Sequence, residues 1–218
     1  MNVPVPTGLP PLAAVDAHLR SRRWQLIAKR AIDIAASAAL LALIGPALLL
    51  IMLSIRLGSR GPALFSQQRW GWRESSFRLY KLRTMATDAR VDRRAHEDGV
   101  LLKPVDDPRV TRLGRLLRRS SVDELPQLWN VLVGNMSLVG PRPLMLHMLE
   151  PYPQLRGIRC RVRPGITGLW QINDRAHHTH AFQMATWDLQ YVQQVSLRLD
   201  ILIMLRTVRA VISGRGAV

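Results

Sequence analysis

The longest apolar run in the chain is the uncharged stretch from Ile34 to Ile55, which is 22 residues long. As an α-helix, such a run extends about 33 Å, close to the roughly 30 Å hydrocarbon core of a bilayer. Basic side chains lie on both sides of it: Arg22, Arg23, Lys29 and Arg30 before it, and Arg56 and Arg60 after it. Because positive charge favours the cytoplasmic side, the pattern predicts a membrane element with both ends in the cytoplasm.

The dipeptide Gly45-Pro46 lies at the middle of this run. Proline removes an intrahelical hydrogen bond and disfavours helical geometry in the residue before it. Two structures fit these residues: a kinked helix that spans the bilayer, and a helix-break-helix that enters one leaflet and returns. A charge deep in the bilayer is costly, so we expect Asp33 to stay near the surface and pair locally with Lys29 or Arg30.

Two short strands are predicted after the apolar run, in Ala63–Phe65 and Phe77–Leu82. Turn residues surround them: Gly58, Gly61, Pro62 and Gly71. This pattern is typical of a β-hairpin, here placed beside the membrane. Alternation along the second strand puts Lys81 and Arg83 on the same face.

Helical spacing dominates the remaining pattern. Ala86–Asp98 is predicted to be a highly charged helical segment on the surface, and Thr111–Arg119 a basic amphipathic turn suited to a membrane surface or to the approach to a phosphate site. Ala185–Ile212 has the spacing of one or two amphipathic helices, and its most apolar part, Leu197–Leu205, is too short to span a bilayer. These helices either pack beneath the core or lie on the membrane surface.

Composition adds a strong basic balance to this picture. The formal net charge is +16, and among 31 basic residues only Lys29, Lys81 and Lys103 are lysine. Guanidinium groups suit the phosphates of nucleic acid, lipid headgroups or nucleotides, although a genomic bias towards arginine gives the same composition. Cys160 is the only cysteine in the sequence, which excludes an intramolecular disulfide.

Two adjacent carboxylates, Asp123 and Glu124, stand out in so basic a chain. One interpretation is a helix start, because Ser121-x-x-Glu124 fits a capping box and acidic side chains favour the first turn. The surroundings favour a phosphoryl-transfer site instead, since arginines hold a pyrophosphate well beside a carboxylate and a metal ion. The nearby arginines are Arg112, Arg115, Arg118, Arg119 and Arg142.

Two other polar groups are interpreted as structural. Asp106 and Asp107 precede a proline and are more typical of a turn than of a metal site. His177, His178 and His180 lack the further cysteine or spaced histidine of a zinc site, so we expect a polar loop there.

Three motifs, in this order, resemble the bacterial sugar transferases, the monotopic polyprenyl-phosphate phosphoglycosyl transferases of exopolysaccharide type. They are SSVDELPQLWNVL, MSLVGPRP and RPGITGLWQI. The resemblance extends from about Lys29 to the C-terminus. It implies a re-entrant membrane helix broken at Gly45-Pro46, with both ends cytoplasmic, and lipid-phosphate contacts from Lys29 and Arg30.

The resemblance also implies a reaction and a site. Asp123 is expected to attack the sugar-bearing phosphate of a UDP-sugar, releasing UMP, and undecaprenyl phosphate then displaces Asp123 from the sugar phosphate. Glu124 is expected to help hold Mg²⁺. Asn135 stands where the family often has an acidic residue. Seven residues are expected at the phosphate and nucleotide site: Lys81, Arg83, Arg118, Arg142, Pro143, Arg163 and Gln171. Pro143 is expected to fix the turn that carries Arg142.

The expected architecture is therefore mostly helical α+β in three parts. Residues 1–21 lack the basic start and apolar core of a signal peptide and are expected to be a flexible leader. Residues 22–57 form the re-entrant membrane helix, and residues 58–218 form a cytoplasmic catalytic domain with membrane-surface helices. The location implied is the cytoplasmic face of the bacterial inner membrane.

Other functions remain compatible with the residues taken by themselves. A membrane scaffold of polysaccharide assembly would use Asp123 and Glu124 only as helix caps, and a binder of anionic lipid or nucleic acid would rest on the charge of +16. The transferase hypothesis expects downstream glycosyltransferases as partners, no nucleic acid, and a homodimer. Glucose or galactose is the expected sugar.

Overall fold

The computed structural model describes residues 8–86, 107–173 and 181–212. The helices are α1 (Leu12–Ser21), α2 (Arg23–Gly58), α3 (Arg112–Arg119), α4 (Gln127–Leu132), α5 (Leu146–Leu149), α6 (Pro153–Arg159), α7 (Leu169–Asn173), α8 (Ala181–Gln194) and α9 (Leu197–Ile212). The strands are β1 (Leu64–Trp70), β2 (Ser76–Leu82), β3 (Ser137–Val139) and β4 (Gly165–Thr167). The expectations for 87–98, the three histidines and residues 213–218 lie outside the described ranges. The mostly helical α+β class is confirmed.

Helix α2 is long and apolar enough to cross a membrane, by length and composition. Gly45 and Pro46 lie inside this single 36-residue helix, so the expected break is not seen as a gap between two helices. One face of the apolar run packs on the hairpin and α3 through Leu48 and Ile55. The opposite face is exposed, with Leu43 78% and Leu57 80% accessible. An apolar face of this length suits lipid better than water.

The expected flexible leader is wrong for Leu12–Ser21, which form helix α1. Val15 is 4% exposed and belongs to the main core. Asp16 also pairs with Arg161 at 2.9 Å, which attaches the helix to the segment after α6. Proline and small residues suggested disorder, but Val15 of α1 is buried by tertiary contacts that no local composition reveals.

The predicted β-hairpin is confirmed, with a longer first strand than expected. Strands β1 and β2 pair antiparallel from Leu64 with Leu82 to Trp70 with Ser76. Phe77 and Leu79 are buried on one face, against Val131 and Met136 of the α4–β3 region. Lys81 follows on that same face, as alternation predicted.

The main core joins the C-terminal helices to a second small sheet. Strands β3 and β4 pair in parallel, with Ser137 opposite Gly165 and Val139 opposite Thr167. Val139 packs with Leu189, Tyr191 and further residues of α6 to α9 in one buried cluster. Helix α9 therefore packs against the core, although Leu205 stays 65% exposed on its other face.

Candidate active site

The carboxylates Asp123 and Glu124 lie in a short 3₁₀ turn, Val122–Glu124, between α3 and α4. Ser121 adopts a left-handed conformation with φ 58° and makes no capping bond from its side chain, so the capping-box alternative is not formed. In a 3₁₀ turn, neighbouring side chains diverge by about 120°. The two carboxylates therefore point in different directions and can act on different groups.

Glu124 faces basic residues that are distant from it in the sequence. Its Oε1 accepts from the Lys81 Nζ at 2.6 Å and lies 3.9 Å from Nη2 of Arg142. Lys81 and Arg142 line a narrow cleft with Glu124 and Pro143. The structure thus brings the hairpin, the dyad and the Gly-Pro-Arg-Pro turn to one place, as predicted for Lys81, Arg142 and Pro143.

Arg118 is held beside the dyad from the hairpin side. Its Nε donates to Oγ1 of the buried Thr84 at 2.9 Å. Burial lowers the pKa of the Arg118 guanidinium, and the Asp123 carboxylate opposes that shift. Gly114 makes this packing possible, because a Cβ there would lie 2.1 Å from the Thr84 carbonyl oxygen. Arg118 is therefore a fixed positive charge next to Asp123.

Arg142 is positioned by a buried ion pair. Arg159 Nε donates to Oδ2 of Asp188 at 3.1 Å, and both side chains are at most 3% exposed. Arg159 also donates to the Arg142 carbonyl oxygen at 2.8 Å, while the Arg142 amide donates to Asp188 at 3.4 Å. The pair therefore holds the backbone of the residue whose guanidinium reaches Glu124.

The glycines of the last two motifs lie in close backbone contact with each other. A Cβ on Gly165 would lie 2.1 Å from the Gly140 amide nitrogen. The Gly140 amide in turn donates to the Thr167 carbonyl at 2.9 Å. Only glycine permits so close a backbone approach, so the two turns form one rigid wall of the cleft.

Arg69 is a cleft residue that sequence reasoning missed. It lines the same cleft as Glu124 and Arg142, and its Nη2 donates to Gln67 Oε1 at 2.7 Å. Its buried Nε has no hydrogen-bond partner within the described part of the chain. Burial, and then the charge of Arg142, lowers the pKa of Arg69 to about 10. No signal in the sequence pointed to Arg69, because the predicted first strand ended at Phe65 and local pattern does not reveal that the guanidinium is buried.

A family model described as bacterial sugar transferase matches residues 24–214. The chain belongs to the bacterial sugar transferase family. The resemblance inferred from the three motifs is thereby confirmed. In this family member Glu124, Lys81, Arg142 and Pro143 line one cleft, with Asp123 and Arg118 beside it.

Relatives of this sugar transferase span most of its length. The exopolysaccharide production protein ExoY of Rhizobium meliloti (strain 1021) is 39% identical over 200 residues, covering 88% of both chains. The UDP-glucose:undecaprenyl-phosphate glucose-1-phosphate transferase of Caulobacter vibrioides (strain ATCC 19089 / CIP 103742 / CB 15) is 41% identical over 222 residues, 97% of this chain and 76% of that protein. The galactosyl transferase CpsE of Streptococcus agalactiae serotype III (strain NEM316) is 42% identical over 197 residues, 88% of this chain but only 44% of CpsE.

Lys29 and Arg30, the two residues expected to contact lipid phosphate, make contacts within the chain that attach α2 to α9 and α4. Their contact with lipid phosphate stays a prediction. Lys29 pairs with Asp200 at 2.8 Å, and Arg30 donates to the carbonyls of Val131 and Leu132 at 2.7 and 3.0 Å. The predicted local pairing of Asp33 is also wrong, since its carboxylate accepts from the Leu138 amide at 3.1 Å. Asp33 therefore bonds to a residue distant in sequence and not to Lys29 or Arg30, which lie one helical turn before it.

Three further candidates lie away from the cleft. Arg83 donates to the carbonyls of Ile55 and Ser59 at 3.3 and 2.8 Å, where a basic side chain satisfies the free carbonyls at the end of α2. Arg163 donates to the Gly134 carbonyl at 2.9 Å. Gln171 donates to the Ile166 carbonyl at 3.3 Å and does not line the cleft.

Asn135 lies in the turn between α4 and β3, where its amide donates to the Asn130 carbonyl at 2.9 Å.

The dyad also defines where a metal ion would fit in this sugar transferase. The described residues contain no cluster of three or more His, Cys, Asp or Glu side chains. Mg²⁺ is commonly held by one or two carboxylates together with substrate phosphates. Glu124 Oε1 already accepts a cationic partner, the Lys81 ammonium at 2.6 Å. The Glu124 carboxylate is an oxygen ligand of the kind that suits Mg²⁺ bound jointly with a diphosphate.

Proposed function

We propose that this chain is a phosphoglycosyl transferase, which moves a sugar-1-phosphate from a UDP-sugar to undecaprenyl phosphate. The observation that carries the proposal is the cleft in which Glu124 meets Lys81, Arg69 and Arg142, with Asp123 and Arg118 beside it. Three or more cations around a carboxylate dyad match the charge of a diphosphate substrate. Relatives named as undecaprenyl-phosphate glucose-1-phosphate transferases support the choice of reaction.

In the proposed first step, a carboxylate oxygen of Asp123 attacks the sugar-bearing phosphorus. The bond from that phosphorus to the bridging oxygen breaks, and the electron pair leaves with UMP. A phosphate oxygen of undecaprenyl phosphate then attacks the aspartyl-bound phosphorus, which frees the Asp123 carboxylate and forms the diphosphate bond. Covalent catalysis by a carboxylate divides one difficult transfer into two easier ones.

The surrounding side chains supply the charge complementarity that such transfers require. Arg118, fixed by Thr84, is placed to stabilise charge near Asp123, and Arg142 and Lys81 are placed to bind phosphate oxygens near Glu124. Glu124 would hold Mg²⁺, which when bound neutralises developing charge on the phosphate oxygens.

The proposal places α2 in one leaflet of the inner membrane, as a re-entrant helix that bends at Gly45-Pro46. Support comes from the two ends of its uncharged segment. Lys29 and Arg30 attach the first end to Asp200 and α4, and Arg83 attaches the second end at Ile55 and Ser59. One polar domain therefore contacts both ends, which a helix with one end on the far side of the bilayer could not permit.

The substrate and partners of the proposed enzyme follow from its reaction and its relatives. Glucose or galactose is the proposed sugar, in keeping with relatives whose names specify glucose or galactosyl transfer. The product would be taken up by glycosyltransferases that extend a lipid-linked exopolysaccharide on the cytoplasmic face. Formation of a homodimer remains part of the hypothesis.

The direct test is UMP release by the detergent-purified full chain, given undecaprenyl phosphate, Mg²⁺ and a panel of UDP-sugars. We expect release with UDP-glucose or UDP-galactose and none after chelation of divalent ions by EDTA, restored by added Mg²⁺. Folded protein that releases no UMP with any sugar would favour the scaffold alternative. Release that persists unchanged in EDTA would contradict the metal assignment alone.

Arg69 provides a second test within the same cleft. Arg69→Gln removes a guanidinium that lies beside Arg142, and we expect kcat/KM for the UDP-sugar to fall roughly tenfold or more, the order associated with one charge-assisted phosphate contact. The expected change is mainly in KM. Arg78→Gln is the matched control, because Arg78 is exposed on the neighbouring strand and pairs in register with Gln68. Equal kcat/KM in the two variants would show that Arg69 does not contribute to substrate binding.

A further inference from the structure

A second basic cavity lies away from the dyad. Its volume is about 380 Å³, against about 20 Å³ for the cleft at Glu124, and the two share no lining residue. It lies between α1, the first turns of α2, the turn after β1 and the segment that follows α6. Besides Lys29, its cationic lining residues are Arg20, Arg23, Arg30, Arg73, Arg161 and Arg163. The carboxylates that line it are Asp16 and Asp33.

Those carboxylates neutralise only part of the positive charge. Asp16 pairs with Arg161 at 2.9 Å, and Asp33 accepts from the Leu138 amide. Arg30 and Arg163 instead donate to neutral carbonyl oxygens, at 2.7 Å to Val131 and 2.9 Å to Gly134. A carbonyl satisfies a donor without cancelling its charge, so the cavity keeps an excess of positive charge.

Trp72 holds two guanidinium groups at the cavity wall. The Cζ of Arg73 lies 4.2 Å from the centroid of the ring, and the Cζ of Arg163 lies 4.1 Å from it. Burial, and then the charge of Arg30, lowers the pKa of Arg163. Keeping like charges together in this way costs free energy, which a bound anion would recover.

A buried hydroxyl faces the same space. Ser137 lines the cavity and is 0% exposed. Its Oγ has no hydrogen-bond partner within the described ranges. Buried hydroxyls are nearly always bonded, and an unsatisfied one is destabilising. Ser137 therefore offers a donor for which the chain itself supplies no acceptor.

We propose that this cavity is a second anion site, which binds a phosphate group between Arg163, Arg73 and the Ser137 hydroxyl. The phosphate can belong to the headgroup of an anionic lipid or to a soluble phosphate. Lys29 and Asp33 at its edge directly precede the uncharged Ile34–Ile55 segment, which puts the cavity near headgroup depth if α2 enters the bilayer. The site does not depend on the transferase reaction.

The test measures thermal unfolding of the full chain in neutral detergent while one of three probes is titrated. The probes are inorganic phosphate, phosphatidylglycerol in mixed micelles, and phosphatidylcholine as the zwitterionic control. We expect the midpoint to rise with phosphatidylglycerol or phosphate and not with phosphatidylcholine. A response to phosphatidylglycerol alone identifies a headgroup site, and a response to both identifies a site for any phosphate. No response to either phosphate-bearing anion overturns the proposal.

Variants place the effect in the cavity. Arg163→Gln and Ser137→Ala are each expected to weaken the response roughly tenfold, the order of one hydrogen bond to a charged group. Ser137→Ala is nearly isosteric and removes an unsatisfied hydroxyl, so its unliganded midpoint should equal or exceed that of the original chain. The exposed Arg78→Gln should leave the response unchanged. Binding that is unaltered in both cavity variants contradicts the proposal.

Discussion

Asp123→Asn is expected to reduce UMP release by at least about a thousandfold, because removing a covalent nucleophile slows other enzymes by that order or more. The asparagine side chain has the same shape but no negative charge, so it cannot attack phosphorus effectively. Asp123 lies in a half-buried 3₁₀ turn, and we expect the thermal midpoint to change little. Initial rates with the preferred UDP-sugar measure the effect.

The intermediate itself gives the sharper readout. With a UDP-sugar and no lipid acceptor, the original chain should gain the mass of one sugar phosphate, and Asp123→Asn should gain none. Glu150→Gln, which removes an exposed carboxylate elsewhere, should behave as the original chain does. Turnover by Asp123→Asn at the original rate would exclude Asp123 as the nucleophile. Loss of turnover with an adduct still present would assign the covalent step to another residue.

Asp188→Asn is expected to destabilise the fold by about 3–5 kcal/mol, since it leaves the buried Arg159 charge without its partner. Both side chains are at most 3% exposed, so water cannot replace the lost carboxylate. For a domain of this size the midpoint should fall by on the order of 10 °C. Because Asp188 and Arg159 also hold the Arg142 backbone, kcat/KM should fall at temperatures where the variant is still folded.

An exposed ion pair provides the matched comparison for this prediction. Glu74→Gln removes the partner of Arg156, whose Nε lies 2.7 Å from a carboxylate that is 38% exposed. Exposed pairs of this kind contribute at most about 1 kcal/mol, so the midpoint should move only slightly. The double variant Arg159→Met with Asp188→Asn should recover part of the loss, because no unpaired charge stays buried. Equal midpoints for Asp188→Asn and Glu74→Gln would mean that the buried pair is not important for stability.

The hairpin illustrates what could be predicted from local pattern. Alternation in Phe77–Leu82 and the glycine turns around it predicted two strands. The structure confirms both strands, with β1 extended to Trp70. The apolar run Ile34–Ile55 likewise predicted the long helix α2. Both predictions rest on side-chain periodicity and on turn residues, which act over a few residues and are therefore visible in the sequence.

The charged residues illustrate what could not be predicted. Lys29, Arg83 and Asp33 all bond to residues or carbonyls distant in sequence, at Asp200, Ile55 and Leu138 respectively. Arginine and lysine have the same local signature whether they face substrate, lipid or a helix end. The roles of Lys29 and Arg83 were therefore assigned by resemblance, and only the structure shows their contacts within the chain at the two ends of the apolar segment.

By itself, the sequence determined the chemistry that is available: a carboxylate dyad in a very basic chain, three motifs of one family, and an apolar segment with basic flanks. Only the tertiary structure decided which charges act together. Lys81 and Glu124 meet across 43 positions, and Arg69 joins them from the partner strand. The reason is physical: the interaction of two charges depends on their separation and on their burial in the folded chain. Close backbone approaches at Gly114 and Gly165 help to set those separations. Local sequence pattern does not encode them.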